Sequence, residues 1–243
     1  MKQNYSIVFL LAITFGLFAC TEKETPVNTL SKKEIKEGWQ LLFDGKSTEH
    51  WKGYNQPGFP NSGWGIEGDA LACQESDRGE AGSGGDLITR KKYSNFELSL
   101  EWKIDKAANS GILYLVTEIP DEPAWHGAPE MQILDDENFP MELKPAQLAG
   151  SAYDLVAANP KTVKPFGEWN QIRIIVNKGH VEHWQNGKKV AEYNLWTPEW
   201  EKMVMNSKFK DYPEFLNMAK EGYIGLQDHG GGVWFRNIKI KEL

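Results

Sequence analysis

The chain has 243 residues, a formal net charge of −7, two cysteines and ten tryptophans. The acidic balance excludes a polyphosphate partner, because nucleic-acid binding needs a concentrated basic face and this sequence carries none. With one cysteine spent on the N-terminal signal described next, an intramolecular disulfide and a cysteine-based zinc site are excluded too, so stability has to come from burial.

Lys2, an apolar run from Ile7 to Phe18 and a small-residue break before a cysteine read as an export signal. The run is too short for a membrane span. Leu17-Phe18-Ala19-Cys20 resembles a bacterial lipobox, whose cysteine becomes the acylated first residue after cleavage. The expected organisation is a signal peptide over residues 1–19, a polar tether containing Pro26 over 20–30, and one domain over 31–243 without internal repeats. The expected location follows: exported and lipid-anchored, in the periplasm or at the outer-membrane surface, touching the membrane only through Cys20.

A short helix is expected from Lys32 to Glu37. From Asn95 to Ile104, Phe96, Leu98, Leu100, Trp102 and Ile104 alternate with Glu97, Ser99, Glu101 and Lys103, the pattern of a strand with one core face and one wet face. Glu130 to Leu134 sets Glu130 and Gln132 opposite Met131 and Ile133. Gln171 to Asn177 and His180 to Gln185 are further strands, the second followed by Asn186-Gly187, a hairpin turn whose residues both tolerate positive φ. Thr197-Pro198 starts a helix as cap and first helical residue, and Pro213 to Glu221 predicts another, stopped by Gly222. These helical pieces read as a flap beside the sheet. Tyr223 to Gln227 places Tyr223 and Gln227 opposite Ile224 and Leu226, and Trp234 to Lys241 closes the chain as a strand. Many short strands between turn signals predict an all-β sandwich of antiparallel sheets with few helices.

Leu42-Phe43-Asp44-Gly45-Lys46 with Trp51, Trp64-Gly65-Ile66, Phe96-Glu97-Leu98, Asn109-Ser110-Gly111-Ile112, Gln132-Ile133-Leu134-Asp135, Gly167-Glu168-Trp169-Asn170 and Gly225-Leu226-Gln227-Asp228-His229-Gly230 stand in one order between about residue 38 and the end. In this the chain resembles the 3-keto-disaccharide hydrolases. The resemblance implies a concanavalin A-like jelly-roll sandwich of two curved antiparallel sheets. It also implies activity on glycosides whose C3 hydroxyl a separate sugar 3-dehydrogenase, the functional partner, has oxidised. A ketone at C3 acidifies the C2 proton, because the carbanion is an enolate. A base can then remove that proton and the enolate can expel the C1 substituent, with water adding afterwards. Such a site needs a base, an acid near the leaving oxygen, and donors or a metal at the C3 oxygen.

Glu101 and Glu130 are the expected base and acid, in unassigned order, with His229 as third catalytic group. Glu97, Asn109, His126, Gln132, Tyr153 and Gln227 are the expected substrate-binding residues. Arg236 and Lys103 are candidate cationic donors, and Tyr114 a further candidate ring. Glu97 and Glu101 lie roughly 13 Å apart along one strand, too far for a retaining-glycosidase pair, which needs roughly 5 Å. No cofactor is required by the sequence. No spacing enforces a metal; were a divalent cation bound, His126, Glu130 and His229 are the side chains suited to it. Glu130-Met131-Gln132-Ile133-Leu134-Asp135 also resembles the paired-acid strand of laminarinase-type glucanases, though Gln132 and the shorter Asp135 depart from it. A non-catalytic glycan-binding lipoprotein is the other alternative. The reading requires Glu101, Glu130, Gln227 and His229 to line one hollow on one sheet.

Overall fold

The computed structural model of the chain describes residues 25–74, 76 and 82–243. The signal peptide and Cys20 expected from the sequence lie outside the described residues. Ser31 caps the first helix, α1 (Lys32–Lys36), through a capping box with Glu34. Five short strands follow: β1 (Gln40–Leu41), β2 (Trp51–Gly53), β3 (Trp64–Glu67), β4 (Ala70–Cys73) and β5 (Leu87–Thr89). Next come β6 (Phe96–Ile104), β7 (Asn109–Val116), β8 (Glu130–Leu134), β9 (Asn170–Asn177), β10 (His180–Gln185) and β11 (Lys188–Asn194). Helices α2 (Pro198–Met205) and α3 (Pro213–Leu216) precede β12 (Tyr223–Leu226) and β13 (Val233–Glu242).

The strands form two antiparallel sheets. One runs β11-β10-β9-β6-β13-β4-β3, with β1 also on β13; the other runs β2-β5-β12-β7-β8. Alternation decides which side chains meet between them. Phe96, Leu98, Leu100 and Trp102 of β6 face Ile112, Tyr114, Met131, Ile133, Ile224 and Leu226 of the smaller sheet, all of them buried. Tyr114 belongs to this core, where its hydroxyl meets His183 Nε2 at 2.9 Å, and so does not meet a sugar. Asn186 and Gly187 join β10 to β11 with φ of 49° and 78°, the hairpin geometry their residue types favour.

The helical stretch is no peripheral flap. Trp200 of α2 stacks between Tyr193 and Phe215, and Trp200, Val204, Phe209 and Phe215 all join the main core. Helix α3 stops at Leu216, short of the expected Glu221, because Met218 turns into the core and Gly222 exchanges backbone hydrogen bonds of 2.8 and 3.0 Å with Tyr93.

On the outward face of the larger sheet, β13 shifts register against β6 between Arg236 and Lys239, and Asn237 there takes a φ of 51°. Asn28 plugs this irregularity. Its N–H donates to Asn237 Oδ1 at 2.6 Å, the Asn237 N–H donates to Asn28 Oδ1 at 2.8 Å, and Asn28 Nδ2 donates to the Asp69 carbonyl at 2.7 Å. Thr25 lies nearby in a hollow with Ser99, Gln171 and Arg173.

Candidate functional site

The outward face of the smaller sheet carries the site. Along β8, Glu130 and Gln132 point away from the core that holds Met131 and Ile133. The far edge of β8 is covered by the chain around residue 152: Gln132 N–H donates to the Ser151 carbonyl at 3.1 Å and Tyr153 N–H to the Glu130 carbonyl at 3.0 Å. That cover brings Tyr153 to the rim. On the other side, β7 pairs Gly111 with Gln132. A Cβ at Gly111 would stand 2.2 Å from Glu130 Oε1, so the missing side chain is what lets the carboxyl lie across β7. The chain leaving β12 then hydrogen-bonds Gln227 N–H to the Gly111 carbonyl at 3.0 Å and leads through Asp228 to His229.

Asp228 braces the floor. Its carboxylate accepts from Gly84 N–H at 2.9 Å and Gly230 N–H at 3.1 Å, and a Cβ at Gly82 would stand 2.0 Å from it. Its own N–H donates to Asp86 Oδ1 at 3.0 Å, which fixes Asp86 beside the Gln227–His229 segment. Opposite stand Trp125 and Lys208, the latter carried by the helical turn after α2. The Lys208 ammonium lies 4.4 Å from the Trp125 ring centroid and 4.3 Å from that of Tyr153.

Between these walls lies a cavity of about 500 Å³, lined by Glu130, Gln132, Asn109, Gln227, His229 and Tyr153 together with Asp86, Trp125 and Lys208. Burial pushes the Glu130 carboxyl up to about 7; Lys208 opposes the rise and the negative charge of Asp86 adds to it. Asp86 is also pushed to about 7, mainly by burial, with the Asp228 N–H opposing and the Asp228 charge adding. Two carboxyls therefore titrate near neutrality in one cavity, which suits general acid–base work.

Several sequence expectations are corrected. Glu101 lies on the outward face of the larger sheet, where Oε2 accepts from Arg236 Nε at 2.7 Å and Oε1 from Asn237 Nδ2 at 3.1 Å. Glu97 lies on that same face, held by Arg173 Nε at 2.8 Å and Lys241 Nζ at 2.7 Å. Neither reaches the cavity, and the supposed cationic donors sit with them: Arg236 on Glu101, and Lys103 over the Trp169 and Trp234 rings. His126 does not line the cavity; its Nδ1 pairs with Glu122 at 2.7 Å and its ring lies 4.2 Å from that of Tyr212. The ligand atoms of His126, Glu130 and His229 do not gather. Among the described residues, His180, Glu182 and Glu192 alone group three such ligands within 4.8 Å, and Lys189 already pairs with both glutamates.

Residues 38–241 match the family described as the 3-keto-alpha-glucoside-1,2-lyase-like domain. The chain belongs to this family. It is 41% identical over 244 residues to a 3-keto-disaccharide hydrolase of Bacteroides thetaiotaomicron, an alignment that spans 91% of this chain and 84% of the relative. A candidate glycosyl hydrolase of Parabacteroides distasonis superposes with a TM-score of 0.82 at 33% identity, covering 90% of this chain and 100% of its own. A second from the same organism gives 0.65 at 31% identity, covering 84% and 99%. The fold of this 3-keto-alpha-glucoside-1,2-lyase-like domain is thus the expected concanavalin A-like sandwich.

Sequence reasoning missed Tyr54, Asp86, Trp125, Lys208 and Asp228 among the side chains that line this cavity. Asp86 had a readable signal, since Gly82-Ser83-Gly84-Gly85-Asp86 mirrors Asp228-His229-Gly230-Gly231-Gly232 as an acidic residue joined to a glycine run beside a strand. Lys208 had none, because only the folding of α2 against the core delivers it.

Proposed function

We propose that this protein is a glycoside-cleaving enzyme acting on 3-keto-glycosides, with Glu130 as the base that removes the C2 proton and Asp86 as the acid at the leaving oxygen. The observation that carries the reading is the pair of carboxyls raised to about 7 in one cavity. The opposing influences on them differ. Lys208 favours ionised Glu130, as a base requires, whereas the Asp228 charge favours protonated Asp86, and the Asp228 N–H occupies only Oδ1, leaving Oδ2 to carry a proton. The C2–H electrons form an enolate with its charge on the C3 oxygen, stabilised by Lys208 across the cavity. The enolate collapses to a C1=C2 double bond, the C1–O bond breaks, and the departing oxygen takes the Asp86 proton. Water addition to the unsaturated sugar completes hydrolysis. Trp125 and Tyr153 offer ring faces to the sugar, and Asn109, Gln132, Gln227 and His229 its hydroxyl partners.

The test is to incubate the protein with a 3-keto-disaccharide, its unoxidised parent, and the keto form deuterated at C2. Cleavage of the keto form alone is expected, slowed several-fold by deuterium where C2–H cleavage limits the rate. Cleavage confined to the unoxidised sugar would overturn the mechanism.

The same reading includes export and acylation at Cys20, with a sugar 3-dehydrogenase supplying the ketone. Its support is the lipobox-like Leu17–Cys20. Cys20→Ala should move the protein from the membrane to the soluble fraction.

A further inference from the structure

A second hollow adjoins the cavity. It has a volume of about 280 Å³ and is bounded by Asp105, Lys106, Phe139 and the glycines 230–232. Asn109 and His229 line both hollows, so these two residues form the saddle between them. The saddle lies beside the acid proposed above, because Asp86 is hydrogen-bonded to the N–H of the residue preceding His229.

We propose that the second hollow receives the leaving half of the substrate as an uncharged hexose ring, with the scissile bond crossing the Asn109–His229 saddle. This rests on the reading of the first cavity as the keto-sugar site. Three observations carry it. Asn109 and His229 are the polar side chains common to both hollows, so a sugar crossing the saddle passes between two groups able to hydrogen-bond its hydroxyls. The hollow sets the half-buried Phe139 ring beside the peptide groups of the glycine run and the charged side chains of Asp105 and Lys106; that combination fits a ring with a C–H face and a hydroxyl rim. The walls are also fixed to each other before any ligand arrives. Phe139 N–H donates to the Asp135 carbonyl at 3.1 Å, Asp135 Oδ2 accepts from Ala107 N–H at 2.8 Å, and Asp105 N–H donates to the Gly232 carbonyl at 3.0 Å.

The experiment compares a 3-keto-disaccharide with the methyl 3-keto-glucoside, which fills the first cavity only. With the unaltered protein, KM for the disaccharide should be about tenfold lower than for the methyl glycoside. Phe139→Ala should remove most of that advantage, raising KM for the disaccharide while leaving the methyl glycoside within about twofold; Phe139→Tyr, which keeps a ring, should behave as the parent. Equal KM values for the two substrates in the unaltered protein would overturn the proposal without recourse to any variant. A KM rise of the same size for both substrates in Phe139→Ala would do the same. Turnover of neither substrate would instead overturn the keto-glycoside reading of the first cavity, and the leaving-group hollow with it.

Discussion

The two outward faces of the sandwich carry the same kind of residue and treat it in opposite ways. On the larger sheet, Glu97 and Glu101 each lie against an arginine, and Glu97 against a lysine as well. On the smaller sheet, Glu130 and Asp86 share a cavity wall and the nearest influential cation, Lys208, stands across the space. Burial alone does not separate the faces, since Glu97 is 9% exposed and Glu130 6%. The difference is the partner: a carboxylate gripped by a guanidinium at hydrogen-bond distance is held in place, while Glu130, sunk near Asp86, is pushed toward its protonated form by burial and by that neighbouring charge.

The sharpest way to break that contrast is to neutralise each carboxyl of the smaller sheet. Glu130→Gln should lower kcat by about 10² to 10⁴ while sugar binding, followed by calorimetry, persists. Asp86→Asn should cost less with a nitrophenolate leaving group than with a sugar, because a good leaving group needs no proton. Loss of turnover independent of the leaving group would deny Asp86 its role.

A smaller effect concerns stability against pH. Because the folded-state values of Glu130 and Asp86 lie above their ordinary ones, the folded protein holds protons that the unfolded chain releases. Their contribution is complete below about pH 4 and is lost as pH rises through about 7. Denaturant titrations should therefore show stability declining over that window, by on the order of 3 kcal/mol for Glu130 alone. Glu130→Gln should flatten its share of the slope. An unchanged slope would mean the carboxyl is better solvated than its burial implies.

The smallest effect is expected on the larger sheet. Glu101→Gln should leave kcat within about twofold and cost no more than about 1 kcal/mol, as for other partly exposed ion pairs. A loss of turnover comparable to that of Glu130→Gln would erase the distinction between the two faces.

What could be read in the sequence was local. The alternation along β6, β8 and β12 is visible residue by residue, and the Asn-Gly turn announces the β10–β11 hairpin. Alternation reveals that Glu101 and Glu130 both face away from a core. Which sheet each belongs to depends on strand pairing between distant segments, β6 with β9 and β13, β8 with β7. That is why Glu130, Gln132, Asn109, Gln227, His229 and Tyr153 converge while Glu101 and Glu97 do not. The aromatic load divides on similar grounds. Trp51, Trp102 and Trp200 fill the interior, whereas Trp125 reaches the cavity only because the turn that carries it packs against the helical segment.

The Asn28–Asn237 clasp has a practical consequence for how the molecule is held. Residue 25 stands at the back of the larger sheet, on the other side of the sandwich from the cavity lined by Trp125 and Glu130. A label or resin coupled directly at residue 25 would meet the described domain from behind. The cavity would be left free on the opposite side.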